Sequence, residues 1–256
     1  MKTCETVKNL QSALQPLRNR GMSVGFVPTM GALHDGHLSL ARTLKEHCQV
    51  RVCSIFVNPT QFNDPKDYQA YQINLEQDKK LLEREGVDIL FAPSAEEMYP
   101  PGFQSKVTVA EISKPFEGAL RPGHFEGVAT VVTLLFNAVH PDVAIFGEKD
   151  FQQLALIERM VFDLKMNIKI VRGALVRDSD GLALSSRNAR LSRDGREHAL
   201  LISQGLFAAR EAFRKGERRS DVLEGVVRAH ISEMPSPIID YATVVDEATL
   251  APVEEV

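Results

Sequence analysis

Disulfides are excluded first: the only cysteines are Cys4, Cys48 and Cys53, with no C-x-x-C pair among them, so no disulfide framework can form. That fits a reducing compartment, with the cytoplasm as the expected location, and Cys53 falls in an apolar run where a small buried hydrophobe is expected. No apolar stretch approaches the length of a membrane span, and residues 1–14 alternate polar and apolar without the apolar block of a secretion signal. No membrane partner is therefore expected. Charge of one sign is missing as well: 30 Lys and Arg against 34 Asp and Glu leave a net charge of −4 with no basic block, so nucleic acid is not an expected partner. The P-loop pattern G-x-x-x-x-G-K-[ST], the dinucleotide fingerprint G-x-G-x-x-G and the zinc-protease H-E-x-x-H are all absent, as are internal repeats and low-complexity tracts.

What is present is a chain of 256 residues, 44% hydrophobic and 25% charged, the composition of an ordinary globular protein of one or two domains. Apolar runs alternate with helical periodicity. A helix is expected over 6–19, a strand over 24–27, a helix over 36–48 and a strand over 50–57. A helix over 74–85 capped by Asn74, a strand over 87–91 and a short strand over 106–109 come next. After a glycine-bearing loop over 120–127, a helix is expected, then a strand over 142–146, a helix carrying Leu154, Ile157, Val161 and Leu164, and strands over 168–171 and 175–177. Alternating strands and helices imply a parallel sheet with right-handed crossovers, an α/β fold of the Rossmann type with helices on both faces. Helices dominate beyond Gly173, one ending at Phe213 and one running from an N-cap at Ser220 to Met234, with a strand over 238–245. The expected domains are 1–173 and a smaller α/β domain, 174–256.

Chemistry gathers on the loops. Strand 24–27 breaks at Pro28 into Thr29-Met30-Gly31-Ala32-Leu33-His34-Asp35-Gly36-His37. A strand that feeds a helix through a glycine turn aims backbone N–H groups and the positive helix end at an anion, and two imidazoles three apart can face the same phosphate. The same pair could equally be half of a zinc site, or surface residues. Gly147-Glu148-Lys149-Asp150-Phe151-Gln152-Gln153 repeats the strand, glycine, helix plan. Leu184-Ser185-Ser186-Arg187 adds two hydroxyls and a guanidinium. Together these suit a triphosphate attacked at its α-phosphorus, although Lys149 could be a solvated lysine, Ser185-Ser186 a capping turn and Arg187 a surface ion pair.

Five blocks, in order, carry a family resemblance: Pro28-Thr29-Met30-Gly31-Ala32-Leu33-His34-Asp35-Gly36-His37, Phe56-Val57-Asn58-Pro59-Thr60-Gln61-Phe62, Arg121-Pro122-Gly123-His124-Phe125, Gly147-Glu148-Lys149-Asp150-Phe151-Gln152-Gln153-Leu154 and Asp180-Gly181-Leu182-Ala183-Leu184-Ser185-Ser186-Arg187-Asn188. They closely resemble the pantothenate synthetase family over nearly the whole chain. The resemblance implies a ligase that joins pantoate to β-alanine and converts ATP to AMP and pyrophosphate through a pantoyl adenylate. It further implies a homodimer, use of Mg2+, and a C-terminal lid. By matching motif, Met30, Gly31, Ala32, Leu33, His34, Asp35, Gly36 and His37 bind ATP, with His37 as proton donor and His34 beside it on the phosphates. Gly147, Glu148, Lys149, Asp150, Val176, Leu184, Ser185, Ser186 and Arg187 complete the nucleotide site, with Lys149 catalytic. Gln61 and Gln153 hold pantoate, and Gln61 also meets β-alanine. Asp78 is a candidate magnesium contact or a solvated helix carboxylate. Two departures stand out: Gln72-Ile73-Asn74 replaces the usual Pro-Arg-Thr, which removes an arginine, and the sequence ends at Val256 where relatives typically continue, so the expectation is either a smaller domain without a terminal strand or a shortened chain. Rival readings are another nucleotidyltransferase with the H-x-G-H core and a non-catalytic nucleotide sensor.

Overall fold

The computed structural model describes residues 1–71 and 73–256, with Pro65 described by its backbone alone. The replaced residue Gln72 lies outside the described residues; Ile73 and Asn74 lie within them. The chain divides into two compact units, Met1–Leu175 and Val176–Val256.

The first unit is built on six parallel strands: β1 (Lys2–Cys4), β2 (Val24–Thr29), β3 (Val50–Ile55), β4 (Ile89–Phe91), β5 (Val143–Gly147) and β6 (Lys169–Gly173), in the order β1-β4-β3-β2-β5-β6. The chain runs outward from β2 through β3 to β4, then crosses back to place β5 on the other side of β2. The strand order therefore reverses between β2 and β5, and in such sheets ligands bind beyond the carboxyl ends of the strands at that point. The helices of this unit are α1 (Val7–Arg18), α2 (Asp35–Thr43), α3 (Pro65–Ala70), α4 (Leu75–Arg84), α5 (Ala95–Met98), α6 (Glu117–Leu120), α7 (His124–Val139) and α8 (Phe151–Asp163).

Strand alternation sorts the core into two faces. Val27, Cys53, Ile55, Leu90 and Ile145 form one cluster with Leu38, Ala41 and Leu44 of the α2 segment and Leu82 of α4. On the other face Phe26 meets Phe136 of α7 edge-on, at 6.4 Å between centroids, and Phe136 meets Phe146 at 6.2 Å. The segment after α2 lies so close to the sheet that a Cβ on Gly25 would sit 2.4 Å from the Cys48 sulfur. Any larger residue there would have to displace the Cys48 and Leu44 side chains.

Several expected elements differ. The helix expected over 36–48 ends at Thr43 and continues as a 3-10 turn, Leu44–Glu46, so Leu38, Ala41 and Leu44 are the buried face and Cys48 is only half-buried. Residues 106–109 form no strand: the Val107 N–H donates to Thr130 Oγ1, a side-chain partner that ends any ladder. α7 begins at His124, inside the expected loop, because Gly123 takes the left-handed conformation (φ 82°) that opens it. The strand β1 escaped the sequence reading, since three residues of which only Cys4 is buried show no legible period.

The second unit contains α9 (Arg193–Arg214) and α10 (Ser220–Ile231) packed together. Ser220 is the first helical residue of α10 and not its cap; Arg219 holds the cap position, and the Ser220 N–H is taken by the Glu254 carbonyl. Residues 238–245 are not a strand either. Thr243 and the Val244 N–H bind Glu224 instead, leaving one bridge, Val245 to Pro252, and Ile238 92% exposed. Residues 176–184 form a hairpin where a strand over 175–177 was expected, with Arg177 bridged to Ala183.

Candidate functional site

The carboxyl ends of β2, β3 and β5 are neighbours in the sheet and each leads into one of the sequence blocks. β2 leaves through Met30 into a turn with two successive left-handed residues, Gly31 (φ 81°) and Ala32 (φ 51°). A Cβ on Gly31 would meet Ile73 at 2.8 Å and Asp78 Oδ2 at 3.0 Å, so this position requires glycine for space as well as for conformation.

Several of the turn's backbone amides are taken within the fold. Asp78, buried on α4, accepts the Ala32 N–H at Oδ2 and the Leu33 N–H at Oδ1, both at 2.9 Å. Its carboxylate thus acts as an internal anion for the turn, which explains its burial and corrects its reading as a solvated helix carboxylate. Desolvation pushes its pKa up, and the two amide hydrogen bonds pull against that shift. The Gly31 N–H goes to Thr29 Oγ1 (3.2 Å) and the His37 N–H to the His34 carbonyl (2.8 Å).

Side chains are what the turn presents. His34 caps α2: its Nδ1 accepts the Gly36 N–H at 3.2 Å, while the His34 N–H points to His37 Nδ1 at 3.4 Å. Amide donors at both Nδ1 atoms place the ring protons on Nε2. The rings lie 4.1 Å apart between centroids. Burial, then the neighbouring His34, bring the His37 pKa down from 6.5 to about 4, with Asp150 opposing and Lys149 assisting. At neutral pH His37 is an uncharged imidazole with an Nε2–H to donate. That coupling also shows that the end of β5 lies within electrostatic reach of the β2 turn. There Lys149, half-exposed on a 3-10 turn (Glu148–Asp150), rests 3.2 Å from Asp150 Oδ1. Gln153 stands in the first turn of α8, half-buried, with no side-chain hydrogen bond among the described residues.

At the end of β3, Gln61 closes a 3-10 turn, Pro59–Gln61. Its Nε2 donates to the Met30 sulfur at 2.9 Å, tying it to the β2 turn, and its Oε1 accepts Asn58 Nδ2 at 3.1 Å. Asn58, fully buried, also donates to the Gly127 carbonyl at 3.2 Å, while its Oδ1 accepts Tyr99 Oη at 2.8 Å and Thr60 Oγ1 at 2.9 Å. The Gln61 carbonyl accepts His124 Nδ1 at 2.8 Å and the Arg121 guanidinium at 3.2 Å. α7 packs so closely here that a Cβ on Gly127 would sit 2.6 Å from the Thr60 carbonyl. Burial lowers the pKa of His124, keeping it neutral beside Arg121. Asn58, Tyr99, Arg121 and His124 were not singled out as site residues from sequence. The available signal was their place in the blocks 56–62 and 121–125, which hold Asn58, Arg121 and His124.

Val176, Leu184, Ser185, Ser186 and Arg187 belong to the second unit. The Leu184 N–H donates to the Val176 carbonyl at 3.0 Å, so the hairpin sets these two side by side. Ser185 Oγ accepts the Arg187 N–H at 3.2 Å, the capping-turn role, at the start of the 3-10 turn Ser186–Arg190. Arg196 locks the hairpin turn through Asp178 and Asp180. Among the described residues no three His, Cys, Asp or Glu side chains are grouped to hold a metal.

A sequence model of the pantoate-beta-alanine ligase family matches residues 2–256. A pantothenate synthetase of Thermotoga petrophila is 47% identical over 256 residues, covering 100% of this chain and 91% of the relative. Pantothenate synthetase 1 of Bradyrhizobium diazoefficiens is 51% identical over 250 residues, covering 98% and 88%. The crystal structure of pantothenate synthetase from Thermus thermophilus superposes with a TM-score of 0.95 at 44% identity, covering 100% of this chain and 91% of that one. A pantoate-beta-alanine ligase from Francisella tularensis, complexed with beta-gamma ATP and beta-alanine, gives 0.76 at 38% identity, covering 90% and 86%.

Proposed function

The chain belongs to the pantoate–β-alanine ligase family, and from that premise we propose how its residues divide the work. The reaction condenses pantoate with β-alanine at the expense of ATP. A carboxylate is a poor acyl donor, so pantoate first attacks the α-phosphorus, pyrophosphate leaves, and the β-alanine amine then displaces AMP from the pantoyl adenylate. Charge grows on the phosphoryl oxygens during the first step, and preoriented donors there lower the barrier.

The observation that carries this reading is the His34 and His37 pair, with both Nδ1 atoms held by backbone amides and the ring protons on Nε2, beside Lys149 at the β2/β5 reversal. His37 acts first as a neutral hydrogen-bond donor, and the triphosphate's charge raises its proton affinity once bound. Lys149 supplies the formal positive charge. Gly147, Glu148 and Asp150 shape its loop. Met30 to His37 form the wall of the nucleotide site, and Gln61 and Gln153 take pantoate, their amides both donating and accepting. Gln61 also faces β-alanine. The second unit serves as the lid, bringing Val176, Leu184, Ser185, Ser186 and Arg187, and excludes water from the mixed anhydride. Magnesium belongs to the triphosphate in this reading: with Asp78 engaged by amides, Asp150 is the acid suited to meet such an ion through water. The working form is a homodimer in the cytoplasm.

Oxygen labelling tests the route. Pantoate carrying heavy oxygen in its carboxylate should deliver a single labelled oxygen to AMP during turnover with β-alanine. Unlabelled AMP, or ADP with labelled inorganic phosphate, would sink the adenylate mechanism.

A further inference from the structure

Two adjacent glutamines, Gln152 and Gln153, stand in the first turn of α8, and only Gln153 is placed on pantoate. Gln152 does something different. Its Nε2 donates to the Ile112 carbonyl at 3.0 Å and to the Pro115 carbonyl at 2.8 Å, and its Oε1 accepts the Glu117 N–H at 3.2 Å. The last two partners flank Phe116, which is held at φ 53° and ψ −118°. That is the second position of a turn, Pro115-Phe116-Glu117-Gly118, closed by the Gly118 N–H on the Pro115 carbonyl at 2.9 Å. Those angles are of the II′ type, which favours glycine at Phe116's position. A Cβ on Gly118 would fall 1.7 Å from the Ser113 carbonyl, so the turn cannot relax by shifting toward residue 113. The Gln152 carboxamide holds the strained residue from both sides.

The helix beyond the turn gives this clamp a purpose. Glu117 opens α6, and its carboxylate lies 3.8 Å from Arg121, whose guanidinium, with His124, holds the Gln61 carbonyl. A continuous set of contacts thus runs from the first turn of α8, where Gln153 stands just after Lys149, through Gln152 and residues 112–118 to Gln61. We propose that Gln152 is a positioning residue for pantoate: by holding residue 112 and the 115–118 turn it sets Arg121 and His124, and through them Gln61, in register with Gln153. This rests on the reading of Gln61 and Gln153 as the pantoate residues. Only a carboxamide meets the requirement, since it donates two hydrogens and accepts one, whereas the isosteric glutamate has no hydrogen to give the two carbonyls.

The test is steady-state kinetics on the full chain with Gln152→Leu and Gln152→Glu, each checked for folding by thermal melting. The pantoate KM should rise by roughly tenfold, as expected for a small misplacement of a binding group, while the ATP KM stays within about twofold. A merely structural residue would lower the active fraction, and hence kcat, with the pantoate KM unmoved. Combined with Arg121→Ala, the effects on pantoate KM should be non-additive, because both act through Gln61. If both Gln152 variants fail to fold, Glu117→Gln, which keeps the backbone N–H and weakens the carboxylate's contact with Arg121, must raise the pantoate KM alone. An unchanged pantoate KM in a folded variant, or additivity with Arg121→Ala, overturns the proposal. Gln61→Ala in the same assay separates the two layers: if it leaves pantoate KM unmoved, the premise falls and the proposal with it; if it raises KM and Gln152→Leu does not, only the positioning role falls.

Discussion

Replacing His37 with glutamine should flatten the acid side of the protein's stability curve. In the folded chain, burial and then His34 hold the His37 pKa at about 4, against 6.5 for an ordinary imidazole. Between those values the unfolded chain binds a proton that the folded chain does not, so acidification favours unfolding: His37 costs nothing above about pH 6.5, and stability is lost as pH falls toward 4. From pH 7 to pH 5 this single group should remove about 2 kcal/mol. Urea unfolding at the two pH values measures it, with wild type losing about 2 kcal/mol more than His37→Gln. His124, lowered in the same direction by burial, stays in both proteins and cancels. The imidazole resonance of His37 followed by NMR should titrate near 4 in the free enzyme, and its midpoint should move upward when a non-hydrolysable ATP analogue binds. Equal losses in the two proteins, or a midpoint at the ordinary imidazole value, would refute the desolvated neutral imidazole on which its donor role rests.

Lys149→Ala should leave the fold intact, since its ammonium meets only the neighbouring Asp150 among the described residues and is 37% exposed, while slowing adenylate formation by about 2 to 4 kcal/mol in barrier; rapid-quench measurement of pyrophosphate release checks this. Gln61→Ala should weaken pantoate binding and leave ATP binding nearly unchanged, because separate loops hold the nucleotide; calorimetric titration of each ligand decides, and equal loss of both would remove the assignment. Asp78→Ala strands the half-buried Ala32 and Leu33 amides and should cost about 3 kcal/mol of stability, with the magnesium concentration for half-maximal activity unaltered; a raised magnesium requirement would make Asp78 a metal contact.

Periodicity and composition were enough for the parallel sheet and for most of its helices, because the buried runs at 24–29, 50–55 and 143–147 and the striped helices around them have one reasonable arrangement. The same local signal over-read 106–109 and 238–245. There β-branched residues find side-chain partners in Thr130 and Glu224 rather than a neighbouring strand, and propensity carries no information about that choice. The site residues were legible as types: imidazoles, an ammonium and carboxamides, placed on loops after strands. Their neighbours were not. Asp78 fills the amides of the 31–33 turn from another helix, Asn58 saturates its donors and acceptors against Tyr99 and Gly127 as well as Gln61, and His37 is held neutral by burial among elements distant in the chain. Sequence alone determined which chemical groups the protein carries to the ends of its strands, because local period and turn chemistry act over a few residues. Tertiary structure alone decided which of them are occupied, which are desolvated and which remain to meet a substrate, because hydrogen bonding and burial are set by whatever the fold brings within roughly 3 to 4 Å.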